Sequence, residues 1–293
     1  MIELIAEAAT AQDIGCRKRQ EDAVIAHFCQ RDDLGIAVLS DGMGGHEDGD
    51  LASRILAGEM FGELLLSSAR RPLFRANAPA ILGAALGSAN RRLQRHIDDG
   101  HISRDTGGTL TSVMILGGEL RWISVGDSPL YLLRDHRFMR LNEDHSMAPQ
   151  IDLMVENGEL DAEAARRHAD RNCLTSAVTG RRIPRIDCPD KALPMAPGDL
   201  LILASDGVNV LEDEHIGAIA LRTRARGATA VAEGLLDAVR KQQTPDQDNT
   251  SLVVMHLRKA PATEGFITRM AQAFGGRPPE SPRSLANAGG GRS

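Results

Sequence analysis

The chain has 293 residues, of which 42% are hydrophobic and 25% are charged, and its formal net charge is −6. That length and hydrophobic content are enough for a sizeable buried core, in one large domain or in two. The mild negative charge argues against a nucleic-acid-binding role, and no apolar run reaches the ~18 residues needed to span a membrane.

The N-terminal residues carry acids where a secretory signal would carry positive charge followed by an apolar stretch. We therefore expect a cytoplasmic protein. The cysteines form no Cys-x-x-Cys pair, and a chain of this length needs no disulfide framework. We expect free, mostly packed thiols at Cys16, Cys29, Cys173 and Cys188.

Hydrophobic periodicity predicts alternating strands and helices from residue 34 to about residue 257. In chain order, we expect a strand at 35–40, helices at 51–66 and 81–97, a strand meander over 109–141, a strand at 200–204, helices at 212–222 and 228–242, and a strand at 251–257. Asp48 or Asp50 is expected to cap the first helix, and Gly100 to end the second. The pairs Gly117–Gly118 and Asp135–His136 are predicted turns.

Two further segments differ in composition from this core. The polar, helix-prone segment at about 145–182 separates two groups of strands, and we expect an insertion lying over part of a site. Apolar residues at 266–274 predict an amphipathic stretch that packs on its own domain or docks on a partner. The Gly-, Pro- and Ser-rich tail after it is predicted to be disordered. We therefore divide the chain into a domain at 1–260 and a terminal segment at 261–293.

Carboxylates recur where strands end or turn. The tripeptide Ser-Asp-Gly follows two aliphatic strands, at Asp41 and again at Asp206. Asp-Gly is also common in ordinary turns, so one occurrence alone indicates little. Because both strands read as buried, we expect their ends to lie side by side in one sheet and to aim several carboxylates at one point. The other acids of this kind are Glu21, Asp22, Asp127 and Asp248.

Ionised carboxylates can share a site only when their repulsion is offset. Oxygen ligands without a His or Cys cluster favour a hard cation, Mg²⁺ or Mn²⁺, over zinc. Such ions often bind in pairs ~3.5–4 Å apart and hold a shared hydroxide that can attack phosphate esters. Arg17 would supply the planar, two-pronged donor that phosphate oxygens favour.

The acids just named belong to short motifs that follow one another along the chain. They are "RKRQED" at 17–22, "SDGMGGH" at 40–46, "GGT" at 107–109, "VGDS" at 125–128, "ASDG" at 204–207 and "DNTS" at 248–251. Each motif alone is weak, but the ordered set resembles the type-2C, metal-dependent Ser/Thr protein phosphatases, in their compact bacterial form, over residues 11–257. The resemblance implies an α+β fold, a four-layer α-β-β-α sandwich in which two antiparallel sheets pack face to face between helices.

The resemblance also implies a set of metal ligands. Asp41 would bridge two Mn²⁺ or Mg²⁺ ions, with the carbonyl of Gly42 as a further ligand. Asp206 and Asp248 would complete the first ion, and Glu21 the second.

Further roles follow from the same resemblance. Arg17 would hold the substrate phosphate, and Asp22 would orient metal-bound water beside the bridging Asp41. Asp127, together with Asp206, matches a weaker third metal site. The segment at about 145–182 corresponds to the family's variable flap.

The chain departs from the family's pattern at several positions. Gln20 replaces the usual Asn before Glu-Asp, and Pro129 replaces an Arg that often follows Gly-Asp-Ser. Met43 occupies the position of a proposed general-acid His in some eukaryotic members. His46 is then a candidate acid for the leaving group, with metal-bound water, or no acid at all, as the alternatives.

Other classes of phosphatase fit less well. A cysteine-based phosphatase needs an Arg six residues after its Cys, and none of the cysteines has one. The stretch "DQDNT" mimics an aspartyl-nucleophile motif beginning at Asp246, but it precedes a strand near the C-terminus instead of following one near the N-terminus. A phosphatase-shaped binding or scaffold module without activity is the rival from another class.

The sequence therefore predicts a Mg²⁺- or Mn²⁺-dependent phosphatase of bacterial signalling, acting on phosphoserine and phosphothreonine without a phosphoenzyme intermediate. Expected partners are phosphorylated proteins and a cognate Ser/Thr kinase with its substrates. A monomer is expected, with no nucleic acid or membrane as partner.

Overall fold

A computed structural model of the chain describes residues 4–28, 33–44 and 48–259. Within these ranges the strands form two antiparallel sheets. In spatial order, the five-stranded sheet contains β1 (Leu4–Asp13), β11 (Thr250–Lys259), β10 (Leu200–Ala204), β7 (Leu130–Arg134) and β8 (Arg137–Arg140). The six-stranded sheet contains β2 (Asp22–Phe28), β3 (Leu34–Met43), β5 (Leu110–Leu116), β6 (Glu119–Val125) and β9 (Leu193–Pro194), with the short β4 (Gly107–Gly108) paired to β3.

Helices cover the outer face of each sheet. Those of the described residues are α1 (Gly49–Ser67), α2 (Arg71–Ala76), α3 (Ala78–Asp98), α4 (Ala148–Glu156), α5 (Ala162–Arg166), α6 (Asp213–Thr223) and α7 (Ala228–Gln242). Helices α1 and α3 pack on the six-stranded sheet, and α6 and α7 pack on the five-stranded sheet. The predicted four-layer α-β-β-α sandwich is confirmed.

Alternating side chains explain why both sheets are buried on both faces. In β3, Ile36 and Val38 face the helices, while Ala37 and Leu39 face the other sheet. Successive residues of a strand point to opposite faces, so a strand covered on both sides reads as a continuous aliphatic run. The run before Asp41 therefore gave the correct prediction of a buried strand.

The predicted strands and helices are present with small changes at their ends, but two expectations about their arrangement are wrong. The predicted meander over 109–141 is two hairpins in different sheets, because the chain crosses between the sheets at Gly126–Pro129. The strands that lead into the two Ser-Asp-Gly tripeptides also lie in opposite sheets, not side by side in one sheet. Periodicity shows which strands are buried and does not show which strands pair.

The predicted turns are present, whereas the predicted side-chain cap of the first helix is not. Gly117, Gly118, Asp135 and His136 all have positive φ, as the tight hairpin turns require. Helix α1 begins after Asp48, whose side chain makes no capping hydrogen bond; its Oδ2 accepts one from Ser103 N at 2.8 Å instead. The sequence did not predict strands β1 and β2 or helix α2. Neither β1 nor β2 is buried on both faces along its length, so neither gives a continuous aliphatic run.

No helix of the described residues is long and apolar enough to span a membrane. The predicted amphipathic stretch at 266–274 and the tail after it lie outside the described residues, as do Cys29 and His46. Cys16 and Cys173 are free and exposed, contrary to the expectation of packed thiols, and Cys188 is free and half-buried.

Candidate active site

Two of the predicted carboxylates face each other across neighbouring strands. Asp22 of β2 is the direct partner of Asp41 of β3 in the antiparallel register. Alternation puts both side chains on the face toward the five-stranded sheet, as it does Val24 and Leu39. Like charges placed opposite each other are unfavourable, and burial raises the pKa of Asp22 to about 6.

Asp206 approaches the same place from the opposite sheet. Strand β10 ends at Ala204, and the chain turns at once into a short 3₁₀ helix, Asp206–Val210. Burial and the neighbouring acids raise the pKa of Asp41 well above its ordinary value, and burial and Asp248 also raise the pKa of Asp206. The side chains of Asp41 and Asp206 line one cleft, and the charge of Asp206 contributes to the raised pKa of Asp41. The two Ser-Asp-Gly tripeptides therefore meet across the gap between the sheets.

The serine before Asp206 is a direct link between the sheets. Ser205 is fully buried, and its Oγ donates to Asp22 Oδ2 at 2.7 Å. It also accepts from the backbone N of Ser251 at 2.9 Å. The bond from Ser205 orients Asp22. Burial raises the pKa of Asp22, and the side chains of Ser251 and Ser205 partly oppose that rise.

Asp127 lies at the crossing between the sheets, after β6. Burial, with the charge of Asp206 next in weight, raises its pKa to about 8. Arg140 of β8 donates from Nη2 to the backbone O of Asp127 at 2.7 Å, and its charge lowers the pKa of Asp127 slightly. Pro129 stands where an Arg often follows Gly-Asp-Ser, and in this chain Arg140 of β8 places a positive charge beside Asp127 instead.

The loop between β1 and β2 brings Arg17 and Glu21 to the site. Arg17 Nη2 lies 2.5 Å from Asp248 Oδ2, while Asp248 Oδ1 accepts from the backbone N of Asn249 at 2.8 Å. Burial raises the pKa of Glu21, and the charge of Arg17 partly opposes it. The backbone O of Glu21 accepts from Gly42 N at 3.1 Å, which fixes the loop to the end of β3.

Sequence reasoning missed the residue that holds this loop. Asn249 is buried; its Nδ2 donates to the backbone O of Ile14 at 2.8 Å and of Arg19 at 3.0 Å, and its Oδ1 accepts from Glu21 N at 2.7 Å. On the other side of Asp248, Gln247 Nε2 donates to the backbone O of Gly207 at 2.9 Å. The motif "DNTS" contained Asn249, but only the fold shows that it bonds to the loop of Arg17.

These groups line a cleft of about 730 Å³. Its acidic floor and Arg17 come from both sheets, and its far side is formed by residues 172–184, at the end of the predicted flap and just after it. The predicted site residues in the lining are Arg17, Glu21, Asp41, Gly42, Asp127, Asp206 and Asp248. Asp22 lies behind them, bonded to Ser205. Asp246 is exposed and outside the lining, which leaves the aspartyl-nucleophile reading without support.

The donor chemistry of the floor fits divalent metal ions. One oxygen each of Asp22 and Asp206 is buried without a hydrogen-bond partner, and a bound cation would offset both those oxygens and the mutual repulsion of the acids. In their present orientations no three acid, His or Cys side chains of the described residues converge on one ion. Asp248 in particular directs its two oxygens at Arg17 and Asn249.

Comparison with known proteins identifies the arrangement. The model of the family described as protein phosphatase 2C matches residues 16–253. The chain belongs to the protein phosphatase 2C family. The predicted resemblance is therefore confirmed, over most of the chain.

Members of the protein phosphatase 2C family similar to this chain come from several bacteria. The serine/threonine phosphatase stp of Listeria monocytogenes is 29% identical over 192 residues, which cover 64% of this chain and 71% of that protein. The crystal structure of the serine/threonine phosphatase PstP/Ppp of Mycobacterium tuberculosis is 26% identical with a TM-score of 0.72, over 87% of this chain and 99% of that one. The catalytic domain of PstP in complex with two manganese ions is also 26% identical, with a TM-score of 0.69 over the same shares.

Proposed function

We propose that this protein is a metal-dependent phosphatase that hydrolyses phosphoserine and phosphothreonine in proteins. The observation that carries the proposal is the meeting of Asp41 and Asp206, from opposite sheets, on the floor of a cleft that Arg17 also lines. Membership of the protein phosphatase 2C family and the names of the relatives support it.

The acids of the floor would hold two Mn²⁺ or Mg²⁺ ions, and a third where Asp127 and Asp206 approach each other. Glu21, Asp41, the Gly42 carbonyl, Asp206 and Asp248 are the proposed ligands of the two ions. The bound ions would lower the pKa of a water molecule and so supply the nucleophile for phosphorus. The structure of PstP with two manganese ions supports this cofactor choice.

The protein's own groups would then orient the substrate and the water. Arg17, whose side chain is 55% exposed, would turn from Asp248 to bind two phosphate oxygens through its planar guanidinium group. Asp22, held by Ser205, would accept a hydrogen bond from the attacking water and fix its direction. Among the described residues, the acids of the floor are Asp and Glu, with no Ser, Cys or His beside them on the floor, and we propose that water attacks phosphorus directly without a phosphoenzyme.

The proposed partners are phosphorylated Ser/Thr proteins and the kinase that acts on the same sites. We also propose a cytoplasmic location, a monomeric state, a catalytic domain ending near residue 260 and a flap at about 145–182. Within that flap, α4 and α5 form a small helical pair.

Hydrolysis of p-nitrophenyl phosphate by the purified protein tests the proposal directly. We expect turnover with Mn²⁺ or Mg²⁺ and none after EDTA, and release of phosphate from phosphothreonine peptides under the same conditions. Asp206→Ala serves as the control for contaminating phosphatases. Folded protein without turnover under any metal would instead support the inactive binding module, and covalent ³²P-protein after quenching would contradict attack by water.

A further inference from the structure

The arginines near the flap differ in whether an acid pairs with them. Arg167, Arg171 and Arg185 each form an ion pair with an acid, with N–O distances of 2.7–2.9 Å. Arg181 and Arg182 are exposed and line the cleft, and in the part of the chain that the structure describes neither makes an ion pair. Two adjacent guanidinium groups without a counter-charge therefore face the site.

The turn that carries this pair is held in place. At its base, Ser176 Oγ donates to the backbone O of Arg185 at 2.7 Å and accepts from its N at 3.0 Å. At its tip, Asn90 of α3 accepts from Gly180 N at 2.8 Å and donates to the backbone O of Arg181 at 2.7 Å. Gly180 has a φ of +79°, which a residue with a side chain would adopt only with strain.

The cleft thus has charges of opposite sign at two depths. Its floor is acidic and fits metal ions, which would bind the phosphate group, while one side carries the two unpaired arginines. A peptide whose phosphoresidue reaches the floor can place the residues next to it against that side. Guanidinium groups bind carboxylates through two parallel hydrogen bonds, and a fixed backbone reduces the ordering that such a contact costs.

We propose that Arg181 and Arg182 form a subsite for the carboxylates of Asp or Glu residues that flank the phosphorylated residue. The protein then selects acidic phosphorylation sites over neutral and basic ones. This inference rests on the proposed function and specifies its substrate class. Because both arginines are exposed, we expect a preference of about 3- to 10-fold in kcat/KM, which weakens as salt is added.

Three phosphothreonine peptides that differ only in their flanking residues test the subsite: one flanked by Glu, one by Ala and one by Lys. Phosphate release with Mn²⁺ gives kcat/KM for each peptide. The wild type should rank them Glu, Ala, Lys, and the double variant R181E/R182E should reverse that order. Arg166→Glu is the matched control, because Arg166 is exposed in the same segment and does not line the cleft; it should keep the wild-type order.

Binding of the same peptides, followed by fluorescence anisotropy with Mn²⁺ present, makes the test independent of turnover. Equal kcat/KM and equal affinity for the Glu and Ala peptides would overturn the subsite while hydrolysis of p-nitrophenyl phosphate still supported the phosphatase. An unchanged order in the double variant, shown by circular dichroism to be folded, would overturn it as well. If turnover is absent but the affinities follow the predicted order, the phosphatase proposal fails and the subsite stands.

Discussion

The two Ser-Asp-Gly tripeptides have the same sequence and different structures. At Ser40 the strand continues through Met43, and the serine hydroxyl donates to Thr109 O at 2.7 Å within its own sheet. At Ser205 the strand has already ended, and the hydroxyl donates to Asp22 in the opposite sheet. The first serine therefore stabilises one sheet, whereas the second joins the two sheets at the site.

The glycines of the two tripeptides, by contrast, are needed for the same physical reason. Neither Gly42 nor Gly207 has a positive φ, so neither is required by a turn. A Cβ at Gly42 would collide with the backbone O of Gly49, and one at Gly207 with the backbone O of Asn249. Both glycines allow another segment to approach the aspartate closely, which shows that close packing around the carboxylates, not turn formation, explains the repeated motif.

The largest expected effect is the loss of either aspartate. Asp41→Asn and Asp206→Asn should each lower hydrolysis of p-nitrophenyl phosphate with Mn²⁺ by at least about 100-fold, since each removes a proposed charged ligand. In EDTA both variants should melt at a higher temperature than the wild type, because one of two adjacent buried carboxyl groups is gone.

The exposed Asp237→Asn is the control for these two variants, and it should change neither activity nor melting temperature. A variant at Asp41 or Asp206 that keeps more than a tenth of the wild-type activity would exclude that residue as an essential ligand. Different losses at the two positions would show which tripeptide contributes more to metal binding.

Asn249, which holds the Arg17 loop, and Gln247, which bonds to Gly207, should produce the next largest effect. Asn249→Ala removes three hydrogen bonds to backbone groups of the Arg17 loop, and we expect a loss of about 1–3 kcal/mol in stability and about 10-fold in kcat/KM. Hydrogen exchange in EDTA should then accelerate at residues 14–21. Gln247→Ala should instead accelerate exchange at residues 206–210.

Asn142→Ala is a matched control for that experiment, because Asn142 is also buried and its side chain also makes several hydrogen bonds, in a different part of the sandwich. It should lower the stability without faster exchange at residues 14–21. Faster exchange there in the Asn142 variant would mean that global unfolding, not local release of the loop, is being measured.

The two serines should differ by a smaller margin. Ser205→Ala removes the hydrogen bond to the buried Asp22 Oδ2, so we expect a several-fold fall in kcat in addition to about 1–3 kcal/mol of stability. Ser40→Ala removes one bond to a backbone carbonyl and should cost about 1 kcal/mol with less effect on kcat. Chemical denaturation of the two variants measures the change in stability, and steady-state kinetics measures the change in kcat. Equal changes in kcat would remove the functional distinction between the two tripeptides.

The last prediction concerns stability instead of activity, and it is a dependence of melting temperature on pH in EDTA. The folded-state pKa values of Asp22 and Asp127, about 6 and about 8, lie above their unfolded values, so the folded protein holds more protons and loses stability as pH rises through those ranges. Relative to the wild type, Asp22→Asn should gain melting temperature up to about pH 6 and then level off. Asp127→Asn should continue to gain up to about pH 8.

Taking differences from the wild type cancels the opposite contribution of His145 and His256, whose pKa values burial lowers. Differences that level off at the same pH for both variants would contradict the separate environments of the two carboxyl groups. With Mn²⁺ present, stabilisation of the wild type should be greater at pH 8 than at pH 6, because protons compete with the ion for the acids.

The sequence by itself determined the local features of this protein. Continuous aliphatic runs identified β3 and β10 as strands buried on both faces, and periodic apolar residues identified α1, α3, α6 and α7. These signals are local, since they depend on the alternation of a strand and on the 3.6-residue turn of a helix. The ordered motifs likewise named every acid that the structure places in the cleft floor.

Only the tertiary structure decided how those features combine. Ser205 and Asp22 are 183 positions apart, and Asn249 bonds to residues about as distant, so no spacing in the sequence reports their contact. The assignment of β3 and β10 to different sheets likewise depends on long-range pairing. That pairing puts the carboxylates in the gap between the sheets, where burial and mutual repulsion raise their pKa values and would favour a bound cation.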